Sequence, residues 1–180
     1  SRARLLEKMH EARRQLSYLE RPEKSLKPGT YRVYLAPAAI NEIMSLISWR
    51  GFGLKTQRPK GSPLMKLVDG EVGLHRSINL SEDIEGGVAP NFDHYGFVKP
   101  HSVPLLRHGR HAGSLVSARS SREYACPTTG AGESEQPESL SMAGGDLLES
   151  DILTQLGDGL YINNLWYMNF SDAPSCRLTG

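Results

Sequence analysis

The sequence predicts an α+β fold: a mostly antiparallel, curved sheet with one buried helix packed on it and an amphipathic N-terminal helix outside. Three observations predict it. First, residues 159 to 172, GLYINNLWYMNFSD, form the densest run of strand-forming aromatics in the chain. Its even positions, Leu160, Ile162, Trp166, Met168 and Phe170, fall on one side of an extended strand, interrupted by Asn164, and that side is expected to be core. Second, residues 38 to 49 place Ala39, Ile40, Ile43, Met44, Leu46 and Ile47 in a stripe broad enough for a helix buried on most of its circumference. Third, 180 residues suffice for one ordinary domain with a core that needs neither metals nor disulfides.

In chain order, Leu5, Met9, Ala12, Leu16 and Leu19 recur at steps of three and four, which predicts an amphipathic helix over residues 1 to 20. It should stop at Arg21-Pro22, because proline disfavours helical geometry in the preceding residue. The helix with its linker, residues 1 to 27, is set apart from a main domain over residues 28 to 180. Tyr31 to Leu35 is a short β-type run, and Ala36-Pro37 opens the buried helix, which Gly51-Phe52-Gly53 ends. A basic connector with Lys55, Arg58 and Lys60 follows and is expected to be mobile.

Residues 64 to 80 are read as hairpins with a turn at Asp69-Gly70 and β-type segments around Val72 and Ile78, and residues 82 to 95 as loop. The clearest predicted hairpin pairs Val103–Leu106 with Ser114–Val116 across the polar loop 107 to 111. Residues 126 to 146 are rich in Gly, Ser, Pro and Glu and are read as a long loop unable to order a core of its own. Leu147 to Leu156 predicts a short helix with Leu147, Leu148, Ile152 and Leu156 inward, ended by Gly157. In the aromatic strand that follows, Asn163 and Asn164 mark the place for a bulge or reversal.

Charge narrows the function classes. Lys and Arg total 21 against 20 for Asp and Glu, a balance that offers no electrostatic footprint for nucleic acid or an anionic membrane. No apolar run approaches the roughly 18 residues of a membrane helix, so the reading is a soluble, cytoplasmic protein. Cys126 and Cys176 stand far apart and are expected to be free thiols.

Chemical motifs are sparse. A zinc-protease helix needs two histidines on one face with a carboxylate beside them, and none of the predicted helices has that pattern. His101, His108 and His111 cluster near the predicted hairpin, but beside Arg107 and Arg110, whose charge opposes a metal. GxSxG is absent, and Gly51-Phe52-Gly53 follows a helix rather than opening one. Carboxylates such as Glu82-Asp83 are read as surface charge. What remains is the second side of the aromatic strand, where Tyr161, Asn163, Tyr167 and Asn169 alternate hydroxyl with amide and could grip an extended peptide.

Several segments in order resemble the TldD/PmbA family, also called modulator of gyrase, and specifically the C-terminal domain of its PmbA (TldE) branch. They are YRVYLAPAAINEIMSLI, the SPL of Ser62 to Leu64, APNFDHYGF, LLRHGRHAGSLVSARSSREY and GDGLYINNLWYMNFSD. The resemblance implies a two-subunit peptidase in which the TldD branch carries an HExxxH zinc helix and the PmbA branch is its partner without it. The two form a heterodimer that cleaves unfolded peptides, including during peptide maturation. Aligned on the helix after Pro37, Ser45, Leu46 and Arg50 occupy the positions of His, Glu and His. A leucine cannot act as a base and an arginine repels zinc, so no cofactor is expected in this chain and zinc is expected in a TldD-type partner. The family's cysteine ligand is expected beyond Gly180, which leaves Cys176 without that role. Relative to the family, the N-terminal domain and the end of the C-terminal domain are missing, so the chain is read as a fragment.

Three functions are weighed. The first is a non-catalytic subunit domain of a TldD-type zinc metallopeptidase, acting with a TldD-like subunit or as a homodimer on unfolded or extended peptides. The second is a divergent metallopeptidase using His101, His108 or His111. The third is a structural peptide-binding or oligomerisation domain.

Overall fold

The computed structural model describes residues 2–180, which fall into two units that divide after Tyr31. The first unit holds α1 (Arg2–Leu19). It ends just before Pro22, with closing bonds from Glu20 N to Leu16 O and from Arg21 N to Tyr18 O. Taken by itself, the unit leaves Leu5, Met9, Leu16 and Leu19 uncovered.

The second unit is α+β. Its elements are β1 (Val33–Leu35), α2 (Pro37–Ser48), α3 (Leu54–Gln57), α4 (Met65–Val68), β2 (Leu80–Asp83), β3 (Ser102–Arg107), β4 (Arg110–His111), α5 (Ala118–Tyr124), β5 (Leu140–Met142), α6 (Ile152–Leu156), β6 (Leu160–Ile162), β7 (Asn169–Asp172) and β8 (Arg177–Thr179). The main sheet is antiparallel with order β4-β3-β2-β5. Two small sheets flank it, β1 with β6 in parallel and β7 with β8 antiparallel.

The core gathers on β2 and β3. Leu105 and Leu106 are consecutive and both buried, so β3 is covered on both faces, and Phe52, Leu80, Ile84, Leu115 and Leu67 close around it. Phe170 and Cys176, from the segment of β7 and β8, pack against the same cluster. A second small core forms where α6 buries Ile152 and Leu156 and packs against β1 and β6.

Several expectations are corrected. The aromatic run is not one strand: β6 stops at Ile162, and β7 starts only at Asn169. Its partner β1 is three residues long and runs into Pro37, which has no N–H to extend a ladder; the last bond is Ala36 N to Ile162 O. Tyr167 then adopts φ 57°, outside the strand region, and Trp166 is 75% exposed rather than core. The helix α2 buries only Ala39 and Ile47 fully, so its apolar stripe is half covered.

The hairpin is tighter than predicted. It turns at His108-Gly109, both with positive φ, the signature of a two-residue turn matched to strand twist. Leu115, expected to pair with the Val103–Leu106 strand, pairs instead with the Phe52–Leu54 segment, through Leu115 N to Phe52 O and Leu54 N to Leu115 O.

The basic connector is folded rather than mobile: α3 lies within it, and the buried Gln57 and Ser62 both donate to Gly51 O. Residues 64 to 80 hold α4 in place of hairpins, and Val72 and Ile78 lie outside any strand. Residues 82 and 83 belong to β2 rather than a loop. Residues 126 to 146 supply β5 and a fully buried Glu135. Leu147 and Leu148 face outward, since the helical segment begins only with the 3-10 turn Glu149–Asp151.

Candidate functional site

The helix α2 forms because Ala36 is extended and Pro37 occupies the first helical position, where a missing N–H costs nothing. Ala39 and Ile47 dock it on the rest of the unit. Its flanking residues Ile40, Met44, Ser45 and Leu46 line an open groove of about 1300 Å³. Leu140, Ser141 and Met142 of β5 line the same groove, together with the Gly86-Gly87 turn and Gln136–Ser139.

β5 is an edge strand. The bonds Asp83 N to Ser139 O and Ala143 N to Asn79 O set the phase of its ladder with β2. In an antiparallel pair, alternate residues turn N–H and C=O toward the partner, so Ser139, Ser141 and Ala143 face β2 while Leu140 and Met142 turn theirs to the open edge. An open edge next to a groove is a template for an added strand.

The approach to β5 is held by Glu82. This side chain is buried in β2, and its Oε1 accepts the N–H groups of Glu138 (2.9 Å) and Ser139 (3.0 Å). Burial pushes its carboxyl above the ordinary range; those two backbone N–H groups oppose the rise, the Glu138 charge adds to it and Lys99 counters it. Among the described residues, Oε2 is buried without a hydrogen-bond partner, as is Ser48 Oγ on α2. Lys99 pairs with Glu138 at 2.7 Å, and Asp83 Oδ1 accepts Gly86 N–H at 3.0 Å. Ser139 Oγ accepts Ala89 N–H at 3.1 Å.

A second fixture stands behind this wall. Glu135 Oε1 accepts from Ser117 N and Ser117 Oγ, and its Oε2 accepts Lys55 N–H at 2.7 Å.

Sequence reading took Glu82 for surface charge and did not single out Glu135. Glu82 had a signal, since Leu80 and Ile84 at two-residue spacing place it on a buried strand face. Glu135 had none, because its three donors come from residues far away in sequence.

The candidate residues are distributed as follows. Ser45 is exposed and Leu46 half-buried, and both line the groove. Arg50 lies beyond the end of α2, with its guanidinium 6.0 Å from the Trp49 ring centroid. A hydroxyl, an alkyl chain and a cation do not fit zinc, which takes imidazole, thiolate or carboxylate donors.

The histidines do not converge. His101 is exposed with Nδ1 3.4 Å from Glu85, His108 sits in the β3–β4 turn, and His111 is half-buried with Nε2 3.3 Å from Ser114 Oγ. Burial pushes the His111 imidazole down. Among the described residues, no three His, Cys, Asp or Glu side chains group to hold a metal ion. Cys126 and Cys176 are free thiols, and burial pushes the Cys176 thiol up.

The tyrosine and asparagine set is divided. Tyr161 is on β6 with its ring 5.0 Å from that of Tyr34; Asn163 and Tyr167 lie in the connection, and Asn169 starts β7. No described helix is long and apolar enough to cross a membrane.

Comparison with known proteins places this geometry. Residues 28–179 match the model of the PmbA/TldA metallopeptidase C-terminal domain. Among solved structures, a protein of Thermotoga maritima described as a modulator of a DNA gyrase superposes with TM-score 0.67 and 18% identity, over 82% of this chain and 34% of that one. A counterpart from Bacteroides thetaiotaomicron gives TM-score 0.67 and 14% identity, over 87% of this chain and 38% of that one. TldE from Thermococcus kodakarensis gives 0.61 and 18%, over 79% and 35%. This chain thus spans about a third of the length of these structures. No curated protein gives a match.

Proposed function

The chain belongs to the PmbA/TldA metallopeptidase C-terminal domain family, and we propose that within it the chain is a non-catalytic, PmbA/TldE-like subunit domain of a TldD-type zinc metallopeptidase. One observation carries the reading. The helix that borders the groove presents Ser45 and Leu46 to it, with Arg50 past its end, and these are the positions that the family resemblance sets opposite the ligands and base of the zinc branch. The groove runs along the open edge of β5, and the α2 side chains at its wall offer a hydroxyl and an alkyl chain in place of zinc donors.

In this role α2 and the edge of β5 form part of a substrate chamber, and the partner subunit supplies the metal. Main-chain groups of Leu140 and Met142 hold the peptide, while the tyrosines near β6 contribute contact surface. Gyrase modulation is a description of the structural relatives and adds nothing to this chemistry.

The test combines the purified chain with a zinc-bearing TldD-type subunit and follows hydrolysis of an unfolded peptide and zinc content per chain. The expected result is a complex that cleaves, with zinc bound by the TldD-type subunit alone. Stoichiometric zinc on this chain, accompanied by cleavage without the partner, would overturn the reading.

A further inference from the structure

We propose that the groove selects a cationic extended peptide, one that adds a strand to the edge of β5 and carries a lysine or arginine side chain toward Asp83. This inference rests on the peptide-groove reading and adds the chemistry of the occupant.

Two independent features converge on it. The first is the open edge, where the N–H and C=O groups of Leu140 and Met142 have no partner among the described residues. A main chain in extended form satisfies both residues at once, and its alternate side chains then fall into the groove or out to solvent.

The second is charge. The groove is lined chiefly by apolar and small side chains, and among the described residues the charged ones along it are Asp83 and Glu138, both acidic. Glu138 is already paired with Lys99 at 2.7 Å. Asp83 accepts the Gly86 N–H, and among the described residues no cation pairs with it. An entering carboxylate would meet two like charges where water is partly displaced, whereas an ammonium or guanidinium would pair with Asp83. Met44, Met142 and Leu140 complete the wall with adaptable apolar surface, which favours valine-like or leucine-like neighbours of the basic residue.

The experiment titrates short labelled peptides of alternating valine and threonine, identical except for a central lysine, glutamine or glutamate, into the full chain by fluorescence anisotropy. The lysine peptide should bind on the order of tenfold more tightly than the glutamate peptide at low salt, and the difference should shrink as salt is added. Asp83→Asn, which keeps an acceptor for Gly86, should remove most of that difference and leave the glutamine peptide unchanged. N-methyl groups on one alternate set of the lysine peptide's amides should abolish binding, and on the other set should leave it intact. Loss of binding with neither set would overturn strand addition. If all three peptides bind alike, the charge preference is overturned and the groove reading stands. If none binds, the groove reading falls and takes this inference with it.

Discussion

The carboxylate oxygen Oε1 of Glu135 accepts hydrogen bonds from both the backbone N–H and the hydroxyl of Ser117, each at 2.8 Å. The same hydroxyl accepts the Ser120 N–H at 3.2 Å and so caps α5, and Glu135 Oε2 takes the Lys55 N–H. One side chain, only 1% exposed, therefore ties three separate segments together.

Glu135→Ala strands those donors in the interior. Hydrogen bonds to a charged group contribute about 1.5–3 kcal/mol each, so a loss of at least about 3 kcal/mol is expected in chemical denaturation. Ser117→Ala removes one bond to the carboxylate and the cap, for about 1–2 kcal/mol. Equal losses in the two variants would show that Glu135 acts only through Ser117.

Gly87→Ala should damage the groove wall. An added Cβ would lie 2.3 Å from Ser139 Cβ and 2.4 Å from Asp83 O, and the latter is backbone. Destabilisation of about 1–3 kcal/mol is expected from such overpacking. Gly144 also lines the groove but meets nothing within 4 Å, so Gly144→Ala should change the denaturation midpoint little.

Leu105→Ala empties the centre of the core. Its side chain is fully buried, and truncation should cost about 2–5 kcal/mol, while Leu153→Ala at a position 59% exposed should stay within about 0.5 kcal/mol. Thermal melts of the two variants check the contrast.

Glu82 makes stability depend on pH. Burial raises its carboxyl pKa, so the folded state holds the proton more tightly than the unfolded chain. Its contribution is then greatest below the ordinary carboxylate range and is lost as pH rises through the raised folded value. Glu82→Gln cannot ionise yet still offers an acceptor to Glu138 and Ser139. The stability of the natural chain relative to this variant, measured by denaturant titration across pH, should decline through that window and level off above it. A difference that does not vary with pH would show that burial leaves this carboxyl unperturbed.

Local signals were legible where the backbone chemistry is local. Pro22 ended α1, Ala36-Pro37 started α2, and Gly157 closed α6, each through a dihedral or a missing N–H that needs no distant partner. The order of short segments was also enough to point to the family. The helix stripe over residues 38 to 49 identified a helix correctly but not how much of it is covered, because periodicity describes the side chains and not what lies against them.

The sequence by itself determined the α+β class, the two ends of the groove-lining helix and the separation of the two free thiols. Only the tertiary structure decided that the aromatic run breaks into β6 and β7, that Glu82 and Glu135 are interior carboxylates, and that a Gly- and Glu-rich stretch supplies the edge strand of the groove. The physical reason is that strand length, burial of charge and edge position are all set by partners. β6 is as long as β1 allows, Glu82 is tolerated inside because two backbone N–H groups from residues 138 and 139 meet it, and β5 is a strand because β2 offers it a ladder.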